Sequence, residues 1–395
     1  MKILHTVEFY PPSTGGMQEV VRQLSERMAA MGHDVTVATS RLADRKVKKL
    51  NGVTIEEFAI SGNAVLGFAG EKKRYEDYLV QSDFDVVVNF AAQQWATDIA
   101  LPILEKIQAV KVFVPTGFSG LYNPAYKDYF ESMKSWMKKY DSNVFLSDDY
   151  RDINFAKENG ITKRILIPNG ASKDEFSVPL SNTFRKRNGI PEDAFLILHV
   201  GSYTGIKGHR ETLEIFFKAK IPNSFLLMIG NGNENFKKRI WNKISLRSLF
   251  RYLFSRDQKV LITSMIRRET VQAYLVADLF LFPSNVECSP IVLFESMASG
   301  TPFLVTDVGN SNEIISWSKA GMKLKTVVDA GGLSHADIDD SARILAKIYG
   351  DKNQLWEMSK NGVTTWKEKF TWEKIAEKYM HLYEDLLSKK NDHKN

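Results

Sequence analysis

The sequence predicts an α/β protein of two domains, each built on a doubly wound, mostly parallel sheet. Three observations carry that expectation. Short, strongly apolar runs alternate with helix-length amphipathic segments, the pattern of buried parallel strands joined by crossover helices. The chain has 395 residues, too many for one ordinary domain and suited to two of roughly 150–200. A polar segment, Ser172–Pro191, with prolines at 179 and 191, divides the apolar runs into two series.

In chain order the first series of strands is Lys2–Val7, Val35–Thr39, Val53–Ala59, Asp85–Phe90, Lys111–Pro115, Asn143–Ser147 and Arg164–Pro168. The second is Phe195–Val200, Ser224–Ile229, Val260–Thr263, Leu279–Pro283, Pro302–Thr306 and Met322–Leu324. Right-handed crossovers would set helices on both faces of each sheet. Ser172–Pro191 is read as the linker, which gives domains over 1–180 and 181–370 and a terminal helix within 371–395. That helix is expected from Thr371 to Lys389, with Ile375, Tyr379, Leu382, Tyr383 and Leu386 as its apolar stripe. Tyr126, Tyr129, Phe130, Met133, Trp136, Met137 and Tyr140 line one face of another helix, read as core and not as a membrane-surface stripe.

Composition narrows the class. Apolar residues are 44% and charged residues 25%, a globular profile, and no run approaches the roughly 20 apolar residues of a membrane-spanning helix. His5 and Glu8 interrupt the start before a signal-peptide core could form. With a single cysteine, Cys288, a reducing cytoplasm is the expected compartment. The net charge of +6 is local: residues 236–256 carry seven Lys and Arg and no Asp or Glu. Such a patch suggests an anionic membrane surface as partner, with peripheral attachment, and not nucleic acid.

The chemistry is expected beyond the carboxyl ends of strands, where open parallel sheets bind ligands. Leu279–Glu295 reads as strand, loop and helix, with Ser289 as N-cap and Pro290 in the first turn. A helix N-terminus there favours a phosphate. Carboxylates are acceptor-only groups that fit hydroxyl donors, so Glu287 and Glu295 are read as gripping two sugars flanking a diphosphate. In HVGSYTGIKG, Gly201, Gly205 and Gly208 allow close backbone approach and Lys207 is a candidate clamp on a leaving diphosphate. Gly15 and Gly16 form the matching turn after the first strand. That turn lacks both the G-x-G-x-x-G fingerprint and a Walker lysine, which argues against nicotinamide binding and ATPase activity.

These motifs resemble glycosyltransferase family 4, retaining enzymes of the GT-B fold. The likeness rests on Gly15-Gly16, IPNG at Ile167–Gly170, Lys207-Gly208, the stretch Pro283–Gly309 and FTWEKIA at Phe370–Ala376. It implies two Rossmann-like domains facing a central cleft, with the last helix crossing back onto the first. It further implies that Glu287 contacts the transferred sugar, Glu295 the nucleotide ribose and Lys207 the leaving diphosphate. Gly15, Gly16, Gly201, Ser202, Ser289, Ile291 and Val292 would complete the donor site. Thr116 and Asn169 would meet an acceptor or sugar. No metal or other cofactor is implied. The reaction would move a hexose or N-acetylhexosamine from a nucleotide-diphosphate sugar to a glycan or lipid-linked acceptor in cell-surface polysaccharide or glycolipid synthesis. Where the family has Arg and His, this chain has Ser202 and Thr116. Two other readings stand beside this one: a nucleotide-sugar epimerase of the same architecture, and a degenerate sugar-nucleotide-binding partner subunit.

Overall fold

The computed structural model describes residues 1–232, 245, 248 and 257–392. The chain forms two compact units, Met1–Asn169 with Trp372–Asn395, and Gly170–Thr371.

The first unit contains β1 (Lys2–Thr6), α1 (Gly16–Ala30), β2 (Asp34–Ser40), β3 (Lys49–Leu50), β4 (Val53–Phe58), β5 (Ile60–Asn63), β6 (Gly67–Gly70) and α2 (Lys72–Gln81). It continues with β7 (Val86–Phe90), α3 (Trp95–Asp98), β8 (Val110–Val114), α4 (Lys127–Lys139), β9 (Ser142–Phe145), α5 (Arg151–Glu158) and β10 (Arg164–Leu166). Its main sheet has the order β10-β9-β8-β7-β1-β2-β4-β3. Every pairing in it is parallel except β3 with β4. From Ile3 to Thr6, β1 is fully buried, as a strand covered on both faces must be. It is also where the strand order reverses, with β2 on one side and β7 on the other. The α4 residues Tyr129, Phe130, Met133 and Met137, with Tyr140, lie in the core, as the apolar stripe predicts.

In the second unit α6 (Lys173–Phe176) and α7 (Phe184–Arg187) lead into β11 (Phe195–Val200), α8 (His209–Ala219) and β12 (Ser224–Ile229). Then follow β13 (Gln258–Thr263), α9 (Arg267–Val276), β14 (Leu279–Phe282), α10 (Ile291–Ser299), β15 (Phe303–Val305), α11 (Ser311–Ser318) and β16 (Gly321–Lys323). The hairpin β17 (Thr326–Val328) and β18 (Ser334–Ala336), then α12 (Ile338–Gly350) and α13 (Lys352–Thr365), complete it. The sheet is wholly parallel, in the order β13-β12-β11-β14-β15-β16. Its reversal falls between β11 and β14.

The terminal helix α14 (Trp372–Asp392) packs on α1 of the first unit. It buries Ile375, Ala376, Tyr379, Met380 and Tyr383, and Arg27 meets Glu373 at 2.7 Å. Burying each large apolar side chain contributes about 1.5–3 kcal/mol, so packing and not propensity holds this helix.

The expected linker at Ser172–Pro191 is corrected by the structure: the segment is an integral part of the second unit. Phe176 and Phe184 are buried, Ser172 caps α6, and Ser181 N–H donates to Gln272 Oε1 at 2.7 Å. The division accordingly falls at 169/170 and not at 180/181. The segment reads as polar because its capping and exposed residues outnumber two aromatic anchors. The basic stretch 236–256 lies outside the described residues apart from Ser245 and Ser248. Among the described residues no helix is long and apolar enough to cross a membrane.

Candidate functional site

Strands β11 and β14 are neighbours at the reversal of the second sheet, where crevices form in such sheets. The loops leaving their carboxyl ends carry Lys207 and Glu287. They touch through backbone: Asn285 N–H donates to Ile206 O at 3.0 Å. Gly208 has φ +69°, and a Cβ there would lie 1.9 Å from Pro283 O. Only glycine permits that left-handed turn at that separation. Gly208→Ala is therefore expected to cost about 2–4 kcal/mol, read by thermal unfolding. An unchanged melting temperature would refute this.

Across the two loops, Lys207 Nζ meets Glu287 Oε1 at 2.7 Å, and Ser284 Oγ donates to the same oxygen at 2.8 Å. Among the described residues nothing bonds Glu287 Oε2, which leaves one carboxylate oxygen for a ligand hydroxyl. Thr306 Oγ1 donates to Ser284 O at 2.5 Å and Asn310 N–H to Cys288 O at 2.9 Å, so the loop after β15 braces this one. Cys288 is half-buried. Near Lys207, His199 and His209 are buried with ring centroids 4.6 Å apart. Burial lowers the His209 pKa to about 4 and holds His199 well below its usual value, so both are uncharged at neutral pH.

Glu295 is the fifth residue of α10 and is buried. Its Oε1 meets Arg267 at 2.6 Å, and the same guanidinium reaches Glu175 at 2.6 Å. The predicted cap is corrected: α10 begins at Ile291 with Pro290 in the N-cap position and no side-chain cap. Ser289 Oγ instead accepts from Asn310 Nδ2 at 3.0 Å. The first N–H groups of a helix, near Ile291 and Val292, have no intrahelical acceptor. Ser202 Oγ donates to Asn231 Oδ1 at 3.1 Å, and Gly201 N–H donates to Ile229 O at 2.9 Å. Among the described residues no group of three or more His, Cys, Asp or Glu is placed to hold a metal ion.

Gly15, Gly16, Thr116 and Asn169 belong to the first unit. α1 starts at Gly16, where an added Cβ would meet nothing within 4 Å. The turn before it is anchored by Arg45, which donates to the carbonyls of Tyr10 at 2.8 Å and Pro11 at 2.9 Å. Thr116 is half-buried with φ +61°, and Ala91, Gln93 and Phe118 are also left-handed. Four non-glycine residues in that region after the adjacent strands β7 and β8 mark stored backbone strain, which clusters at functional sites. Buried Asp98 holds the turn after β7, accepting from Gln93 N–H at 3.1 Å, Tyr129 Oη at 2.7 Å and Ala64 N–H at 3.0 Å. Burial pushes its pKa up to about 6. Asn169 is buried.

Sequence reasoning missed Arg267, Ser284, Asn285 and Glu8. The first follows β13 and the next two follow β14, so strand carboxyl ends were the available signal. Glu8 follows β1, its backbone fixed by Ser40 and Gln94. Burial and nearby Asp98 raise its pKa.

Residues 181–364 match the family model of glycosyl transferases group 1. An uncharacterised glycosyltransferase of Methanocaldococcus jannaschii is 23% identical, over 97% of this chain and 98% of that one. The lipopolysaccharide glucosyltransferase WaaG of Escherichia coli is 25% identical over 74% of this chain and 77% of its own. Among solved structures, Anabaena HepE in complex with UDP-glucose superposes with a TM-score of 0.72 at 14% identity, covering 98% of this chain and 100% of that one. Two units built on parallel sheets and these likenesses converge: the chain has the GT-B fold, and its residues 181–364 are similar to the glycosyl transferases group 1.

Proposed function

We propose that the chain is a retaining, metal-independent hexosyltransferase of the family 4 type, using a nucleotide-diphosphate sugar. The observation that carries this reading is the Lys207–Glu287 pair at the β11/β14 reversal. Lys207 binds the diphosphate, and Glu287 Oε2 accepts a hydroxyl of the transferred sugar. Glu295 takes the ribose, and the uncapped N-terminus of α10 supports the phosphates. In the reaction the bond between the anomeric carbon and the phosphate oxygen breaks. The acceptor oxygen bonds to that carbon on the same face, and its proton passes to the leaving phosphate. Lys207 stabilises the charge as it develops. Thr116 lies in the first unit's strained turns and is the candidate acceptor contact.

The relatives support the choice of ligands: HepE is seen with UDP-glucose and WaaG is a lipopolysaccharide glucosyltransferase. A UDP-hexose is thus the first donor to test, and a lipid-linked glycan the first acceptor class. A panel of UDP-, GDP- and ADP-sugars, read by thermal shift and by donor hydrolysis, should show one nucleotide series that stabilises the protein and is slowly hydrolysed. Stabilisation by none of them would sink the reading. Binding without turnover would favour a sugar-nucleotide-binding partner subunit.

A further inference from the structure

Asn285, two residues before Glu287, is tied on three sides. Its N–H reaches Ile206, beside Lys207, and its carbonyl accepts from Ser334 N–H at 2.8 Å. Its side-chain Nδ2 donates to Ser334 O at 2.8 Å and to Glu211 Oε1 at 3.3 Å. Ser334 opens β18, so the β17–β18 hairpin is stitched to the donor loop. It is stitched to the bracing loop as well: Ser334 Oγ donates to Asp307 O at 3.0 Å, and Asp307 N–H to Thr326 Oγ1 at 2.9 Å. The hairpin has little apolar grip of its own, since Val327 and Val328 are 58% and 62% exposed. Polar ties therefore fix its place.

His335 lies where these ties meet. Its Nε2 is 2.9 Å from Asp329 Oδ2 on the hairpin turn, and its Nδ1 is 3.4 Å from Glu211 Oε1 in the first turn of α8. Asn285 Nδ2 lies 3.3 Å from the same Nδ1. The charged ring donates to both carboxylates; the neutral ring can serve only one.

We propose that the β17–β18 hairpin is a clamp that sets the donor-binding position of Glu287, with Asn285 and His335 as its positioning residues. This rests on the reading of Glu287 as a ligand of the donor sugar. The groups facing His335 are Asp329, Glu211 and the Asn285 amide. The hydrogen bond to Asp329, more than any other contact, raises its pKa, with Glu211 adding to it. Both carboxylate ties are therefore made below that pKa, and one of them is lost as pH rises through it.

The test titrates full-length wild type, Asn285→Ala and His335→Gln with UDP-glucose and separately with UDP, from pH 6 to pH 9, alongside their melting temperatures. If the wild type binds ADP- or GDP-glucose instead, that sugar and its diphosphate replace this pair. Asn285→Ala should weaken the nucleotide sugar on the order of tenfold while the bare diphosphate changes far less, because Glu287 touches only the sugar. His335→Gln should weaken it less and remove the loss of affinity that the wild type shows at high pH. Equal losses for sugar nucleotide and diphosphate, or a wild-type pH profile in His335→Gln, would overturn the clamp while leaving the donor site standing. A wild type that binds no nucleotide sugar would instead refute the proposed function, and the clamp with it.

Discussion

Replacing Lys207 with Ala is expected to lower donor turnover by about 10²–10³-fold, the range for loss of one preorganised charge-stabilising group. The physical reason is charge. In the proposed reaction the diphosphate gains negative charge as the glycosidic bond to phosphate breaks. Lys207 is the cation in the loop leaving β11, because His199 and His209 near it are uncharged and Ser202 supplies only a hydroxyl. The effect belongs in kcat more than in KM, since the charge develops in the transition state. Lys207→Ala also strips Glu287 of its 2.7 Å partner, and a Glu287 side chain only 11% exposed tolerates that poorly. Lys207→Met combined with Glu287→Gln, measured beside Glu287→Gln alone, separates the two effects: it removes the Lys207 charge without leaving a lone carboxylate. Initial-rate hydrolysis of the preferred nucleotide sugar is the measurement. A double variant that keeps about a third or more of the wild-type kcat would remove Lys207 from the chemistry.

Lys207 and Glu287 are legible in the sequence because the strands that carry them are. Phe195–Val200 and Ser224–Ile229 were read with their observed limits because strands buried on both faces are unbroken apolar runs. Once β11 and β14 are recognised, Lys207 and Glu287 follow from the rule that ligands gather at strand carboxyl ends. What stayed hidden was partnership. Glu295 could be seen, but Arg267 pairs with it from 28 positions upstream in sequence, and no local spacing announces such a contact. Ser289 shows the opposite failure: a residue ideal for capping was drawn away by Asn310, a tertiary contact overriding local preference. Ser172–Pro191 looked like a linker because two buried phenylalanines among polar neighbours give no periodicity. The β17–β18 hairpin, three residues per strand with only two of those six buried, gave no apolar pattern to read.

Arg267→Met is expected to destabilise the second unit. Glu295 would be left buried, its side chain 4% exposed, without its cation, and Glu175 would lose the same partner. Breaking a fully buried pair costs about 3–5 kcal/mol. The Arg267 side chain is 37% exposed, so solvent screening brings the expected cost down to about 2–3 kcal/mol. For a unit of this size that is a fall in melting temperature of roughly 4–12 °C. The sign of its pH dependence follows. A carboxylate buried without its counter-ion has a folded-state pKa above its unfolded value, so it destabilises the fold where it is ionised and ceases to do so once protonated. The deficit of Arg267→Met should therefore shrink as pH is lowered toward about 5. Adding Glu295→Gln removes the charge that has lost its counter-ion and should restore most of the stability. It should not restore nucleotide binding, because a carboxylate accepts from two ribose hydroxyls and an amide only partly replaces it. Thermal unfolding of the two single variants and the double, with nucleotide titration of each, separates these outcomes. Stability losses that simply add would show that Arg267 and Glu295 do not act as a pair, and recovered nucleotide affinity in the double variant would remove Glu295 from the ribose.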